Sequence, residues 1–103
     1  MSQHPARIRW YSPEEGGRSV PLPCGIKYYP LIELDDFPHP EGVGWSVWFF
    51  TTPTNKEGIC HIALSLLMDD VPEAIALESH FLPGSTFRLL EGYKAVAEGS
   101  FLG

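Results

Sequence analysis

Glu14-Glu15-Gly16-Gly17-Arg18, preceded by Ser12-Pro13 and followed by Pro21 and Gly25, is the stretch that decides how this chain folds. Pro13 sets its own φ, and two adjacent glycines admit positive φ, so the segment reverses the chain. Upstream, Ile8 and Trp10 alternate with Arg7, Arg9 and Tyr11, the period of two of a half-buried strand over residues 6–11. Residues 1–5 are polar and read as a flexible lead-in. Downstream, Pro21 and Pro23 lack backbone donors, which makes residues 20–24 an extended edge and not a central strand. Residues 26–34 resume the strand pattern, with a break or bulge expected at Pro30, and residues 35–42 read as an exposed loop holding two prolines and three acids.

The second half repeats this alternation of strands and turns. Trp45-Ser46-Val47-Trp48-Phe49-Phe50 is aromatic and β-branched, and Thr54-Asn55-Lys56-Glu57-Gly58 turns it into a second strand from Ile59. In that second strand Cys60, Ile62, Leu64, Leu66 and Met68 share one face, expected to be core, while His61, Ala63 and Ser65 share the other. Trp45, Val47 and Phe49 oppose Ser46, Trp48 and Phe50, so neither face of the preceding strand is wholly polar, and one face is a candidate contact surface. Residues 69–77 carry acids ahead of Ala74, Ile75 and Leu77, consistent with a short helix or with a connection containing one helical turn. Pro83-Gly84 ends that segment, and residues 87–90 and 93–102 form a final hairpin across Glu91-Gly92.

Composition agrees with one small β domain. The 103 residues are 44% hydrophobic and 19% charged, ordinary for a globular chain, and 10 Gly with 10 Pro favour short strands over a helical bundle. Net charge is −6 overall, yet residues 1–30 hold four basic and two acidic side chains. An acidic chain grips phosphate backbones poorly unless its few cations converge on one face. No apolar stretch approaches the roughly 20 residues that span a bilayer, so no membrane partner is expected. With no cationic start and apolar run ahead of Cys24, a reduced, cytoplasmic protein is the expectation.

Glu14, Glu15, Gly16, Gly17, Arg18, Pro21 and Gly25 together resemble the start of the C-terminal β-barrel domain of elongation factor Tu. Phe87-Arg88-Leu89-Leu90-Glu91-Gly92-Tyr93-Lys94-Ala95-Val96-Ala97-Glu98-Gly99 resembles that domain's final hairpin, and Ala74-Ile75-Ala76-Leu77-Glu78 is similar to the short segment before it. The resemblance implies an all-β fold, a six-stranded antiparallel closed barrel. In the family the barrel packs on a GTPase domain and touches the T-stem of aminoacyl-tRNA, partly through the final hairpin. Gly92 and Lys94 match a glycine and a basic residue there. Leu90 stands where the family has a basic residue, and Tyr93 replaces a second glycine. There is no phosphate-binding Gly-rich loop with its Lys, so no GTP binding is expected.

No complete catalytic constellation is present. Glu14 and Glu15 read as solvated turn residues, because neighbouring carboxylates in a turn need not converge on a substrate. Cys60-His61 and Ser79-His80 are adjacent pairs, and strand alternation sends the former to opposite faces. Cys24, Cys60, His39, His61 and His80 lack the close spacing of a zinc site, so neither a metal nor another cofactor is expected. Of Trp10, Trp45, Trp48, Tyr28, Tyr29 and Tyr93, most should fill the barrel and one or two should be exposed. The residues expected to bind are Arg18, Gly92, Tyr93 and Lys94, in a stand-alone, non-enzymatic barrel that engages a protein. The alternative is a tRNA- or RNA-binding accessory with Arg7, Arg9, Arg18, Lys27 and Lys94 on one face. A small hydrolase or metal-dependent enzyme, needing Cys24, His39, His61 or His80 beside carboxylates, ranks last.

Overall fold

The computed structural model describes residues 3–37 and 44–103. Among these residues the strands are β1 (His4–Trp10), β2 (Lys27–Tyr28), β3 (Leu31–Leu34), β4 (Trp45–Phe50), β5 (Ile59–Leu66), β6 (Thr86–Glu91) and β7 (Lys94–Phe101), with one α-helix, α1 (Pro72–Glu78). All pairings are antiparallel, in the order β2-β4-β3-β6-β7-β1-β5, and a further β4–β5 pairing joins the ends. The closed ring is thus six strands, β4-β3-β6-β7-β1-β5, while two-residue β2 continues the path of β3 along β4. This is the expected six-stranded barrel.

Alternation builds the core. Ala6 and Ile8, Ile32 and Leu34, Val47 and Phe49, Cys60 through Leu66 at even positions, Phe87 and Leu89, and Val96 and Phe101 all point inward and are buried. An inner layer of large side chains is what a barrel this narrow needs to leave no void. Two positions depart from simple alternation. Ser65 lies on the outward side of β5 yet is fully buried, with no hydrogen-bond partner for its hydroxyl among the described residues. Between β6 and β7 the register slips at Leu89/Leu90, leaving Val96 of β7 as the extra residue, and Leu90 joins Leu89 in being buried.

The boundaries refine the sequence reading. β1 begins at His4, so His4 and Pro5, expected to be flexible, are paired with Leu64 and Ala63; Met1 and Ser2 lie outside the described residues. The strand over 26–34 does break at Tyr29-Pro30, because Pro30 brings no N–H to the ladder. Residues 20–24 form no strand, since Pro21 and Pro23 delete two donors in three residues. Met68, expected inside, is 59% exposed because β5 stops at Leu66. The final turn is Gly92-Tyr93 rather than Glu91-Gly92: Glu91 still pairs with Lys94. Of the loop at 35–42, residues 38–42, including His39, lie outside the described residues.

Each barrel end has its own stopper. At one end the helical reading of residues 69–77 holds: α1 starts at Pro72, which has no N–H to lose in a first turn, and buries Ala74 and Leu77. Phe81 stacks on Phe101 at 4.5 Å, and the His4 ring nitrogen Nε2 lies 2.7 Å from Glu78 Oε2, tying the helix to the start of β1. At the other end Trp10, Tyr28 and Phe49 pack ring against ring, with centroids 5.5 to 6.4 Å apart.

Candidate functional site

The opening motif folds as a 3-10 turn at Pro13–Glu15, for reasons visible residue by residue. Ser12 Oγ accepts the Glu15 N–H at 3.3 Å, and Glu15 Oε1 accepts the Ser12 N–H at 3.0 Å, a reciprocal capping box. Gly16 takes φ of 92°, which favours glycine. Gly17 serves a different purpose: a Cβ there would lie 2.2 Å from the Tyr11 carbonyl oxygen, so only glycine lets the turn close on β1. Arg9 grips Glu15 with both terminal nitrogens, at 2.9 and 3.0 Å. This grip, reinforced by the Ser12 N–H, holds the Glu15 carboxyl down at about 2. Glu14 is exposed.

Arg18 joins the two ends of the chain. Its Nη1 donates to Glu91 Oε2, the residue just before the Gly92 turn, and its Nε donates to the Val20 carbonyl at 3.2 Å. The Tyr28 hydroxyl donates to the same Glu91 oxygen. Burial among Trp10 and Phe49, and then the Glu91 carboxylate, raise the Tyr28 pKa, so the phenol stays a donor. The two motifs quoted from the sequence therefore meet. Arg18, however, is consumed in this knot and does not point at solvent as a free cation.

Beyond the knot the hairpin tip is open. Gly92 has φ of 63°, which lets two residues reverse the chain. Tyr93 is 88% exposed and Lys94 is exposed with no ion pair to a described residue. Leu90, by contrast, is buried.

Of the remaining cations, Arg9 and Arg88 are spent on carboxylates of the barrel wall. On the outer wall Glu33, Arg88, Glu98 and Arg9 form a cross-strand row over β3, β6, β7 and β1, with Arg88 bound to Glu33 and Arg9 to Glu98 at 3.4 Å. Arg7 sits in the next row, opposite Ser100 and His61, without an ion pair among the described residues. Of the five cations that the RNA alternative needs, Arg9 and Arg18 are neutralised by carboxylates.

Lys27 belongs to a different surface, the outer face of β2 and β4. Tyr29 and Phe50 are each 54% exposed, and Trp48 is half-buried between them in the pleat. Trp48 meets Phe50 edge-on at 5.8 Å, and the Lys27 ammonium lies 4.2 Å above the Trp48 ring and 5.5 Å from Tyr29. This is the less polar outer face that the pattern of β4 implied. Of the six aromatics singled out, Tyr29 and Tyr93 are exposed and Trp10, Tyr28 and Trp45 pack on the core.

Among the described residues, the groups named for catalysis do not converge; His39 lies outside them. Cys60 is buried while His61 points out, and Cys24 is exposed in a cleft of about 330 Å³ between the turn at 12–24 and the loop at 51–58. His80 is exposed and meets Phe37 edge-on. Among the described residues no three His, Cys, Asp or Glu side chains are grouped to hold a metal, and no helix is long and apolar enough to cross a membrane. The chain matches no known protein-family model, and a search of curated proteins finds none similar to it.

Proposed function

We propose that this chain is a non-enzymatic β-barrel module of the elongation factor Tu C-terminal type that binds a protein partner through the aromatic face of Tyr29, Trp48 and Phe50 and the neighbouring hairpin tip. The observation that carries the reading is that face: two exposed rings, Tyr29 and Phe50, beside half-buried Trp48, with Lys27 as the charge laid over Trp48 and Tyr29. Exposed aromatics with an apolar body and a polar edge are the residues that dominate protein interfaces. Tyr93, fully projecting beside Lys94, extends the same chemistry to the tip. Two unpaired thiols, Cys24 and Cys60, suit a reducing compartment, and we place the module in the cytoplasm.

The RNA alternative has less support, because counterion release needs free cations and Arg9 and Arg18 are paired with Glu15, Glu98 and Glu91. Affinity capture from the native cell with the full chain and with Trp48→Ala tests the proposal. The expected result is a protein recovered by the wild type and lost from the variant. Recovery of RNA in a salt-sensitive complex that Trp48→Ala leaves intact would reject it.

A further inference from the structure

A closed barrel hides its strand edges, but here one short edge is left open. β2 pairs with β4 through the Ile26 carbonyl, which accepts the Thr51 N–H at 2.9 Å, and the Pro30 carbonyl, which accepts the Val47 N–H at 3.0 Å. Lys27 lies opposite Phe50 and Tyr28 opposite Phe49. Hydrogen-bonded and non-bonded pairs alternate in an antiparallel ladder. Ile26, Tyr28 and Pro30 therefore aim their main-chain groups at β4, and those of Lys27 and Tyr29 aim away from it. On that far side β6 covers β3 from Leu31, opposite Leu90, onward, but β6 ends at Glu91 and the chain turns back at Gly92-Tyr93. The hairpin thus stops short of β2, and the Tyr29 N–H and carbonyl make no backbone hydrogen bond among the described residues. Residues 23–27 and Tyr29 are all exposed.

We propose that an extended, acidic segment of the protein partner adds to this edge as a short strand beside β2. The inference rests on the protein-binding reading above. Main-chain donors and acceptors spaced along a strand are matched by another extended backbone, and alternate side chains then supply selectivity. The turn at Cys24-Gly25, where the Gly25 N–H is given to the Thr51 carbonyl at 2.8 Å, and the start of β6 cover at Leu31 bound the edge, which limits the added strand to a few residues. The acidic character follows from Lys27: docking against Trp48 and Tyr29 strips water from its ammonium, and a desolvated cation without a carboxylate is strongly unfavourable. Apolar side chains on the same face of the segment would lie on Trp48 and Phe50. A second copy of this chain paired through the same edge fits poorly, since its residues 23–30 hold neither Asp nor Glu and bring no carboxylate to Lys27.

The probe is a library of random peptides displayed on phage and panned against the full chain, followed by synthesis of an enriched peptide. Acidic, aromatic or β-branched sequences should be enriched, and the bound peptide should slow hydrogen exchange at the Lys27 and Tyr29 amides of the unaltered protein. Tyr29→Pro removes a donor that Tyr29→Ala keeps, so the proline variant should bind about tenfold more weakly than the alanine variant. Lys27→Glu should abolish the preference for acidic sequences. If peptides bind and Trp48→Ala weakens them, yet both amides exchange as in the free protein and the two Tyr29 variants bind alike, strand addition is wrong while the aromatic face stands. Failure to enrich any peptide, salt-sensitive binding of an oligouridylate to this face, or self-association that protects the same amides would overturn the proposal.

Discussion

Replacing Glu91 with alanine should loosen the barrel end far more than an ordinary surface substitution does. Its Oε2 accepts from both Arg18 and Tyr28, and hydrogen bonds to a charged group are each worth about 1.5–3 kcal/mol. The Arg18 and Glu91 side chains are 31% and 32% exposed, so water replaces part of what is lost. The net effect of Glu91→Ala is therefore about 2 kcal/mol, with about 1 kcal/mol for Arg18→Ala or Tyr28→Phe alone. For a domain of this size that lowers Tm by roughly 8–16 °C for Glu91→Ala. Urea titration followed by tryptophan fluorescence measures it, because Trp10 packs on Tyr28. A double-mutant cycle should return an Arg18 to Glu91 coupling of about 1 kcal/mol at unchanged m-value. Stability of Glu91→Ala within about 0.5 kcal/mol of the wild type would refute the knot as a structural tie and return Arg18 to the pool of binding residues.

Two further outcomes follow from the turns and the wall. Gly99→Ala puts a Cβ 2.7 Å from the Arg7 carbonyl, Ile8 and Phe87, and should destabilise by about 1–3 kcal/mol, whereas Gly92→Ala meets no atom and carries only the strain of positive φ; equal melting losses would contradict the packing at β7. Glu15, held at about 2 against an ordinary 4.5, has a depressed folded-state value, so its stabilising contribution is complete above pH 4.5 and is lost as pH falls toward 2. Carboxyl NMR should show Glu15 titrating near 2 and returning toward the ordinary range in Arg9→Gln; a Glu15 value near 4.5 in the wild type would remove the Arg9 grip.

The strands were legible because their chemistry is local. A period of two in β1, β4 and β5, and proline and glycine between them, specify where the ladder runs and stops. What escaped were effects of neighbours far away in the chain. Met68 continues the inward parity of β5 but lies past the last pairing, and Ser65 is polar by type yet buried by what packs over it. Two glycines in a row suggested two positive φ values; Gly17 is there because the turn presses on Tyr11, a contact between residues six apart. Of the binding residues read from sequence, Tyr93 and Lys94 do project into solvent at the Gly92 turn. Arg18 does not, because its partner Glu91 lies 73 residues away and no local pattern announces the pairing. Tyr29, Phe50 and Lys27 form a surface only once β2 and β4 lie side by side.

The place of β1 in the ring also constrains how the chain comes together. β1 is bracketed by β5 and β7, with His4 opposite Leu64 and Ala6 opposite Phe101. During synthesis its first neighbour appears only after some sixty residues and its second only with the last strand. Until then β1 has unpaired edges and an apolar row at Ala6 and Ile8 with nothing to cover it, the state in which nascent chains aggregate. Closure is therefore late and dominated by long-range contacts, which predicts slow, concerted folding, with the 3-10 turn after β1 as the one element that can form beside it early.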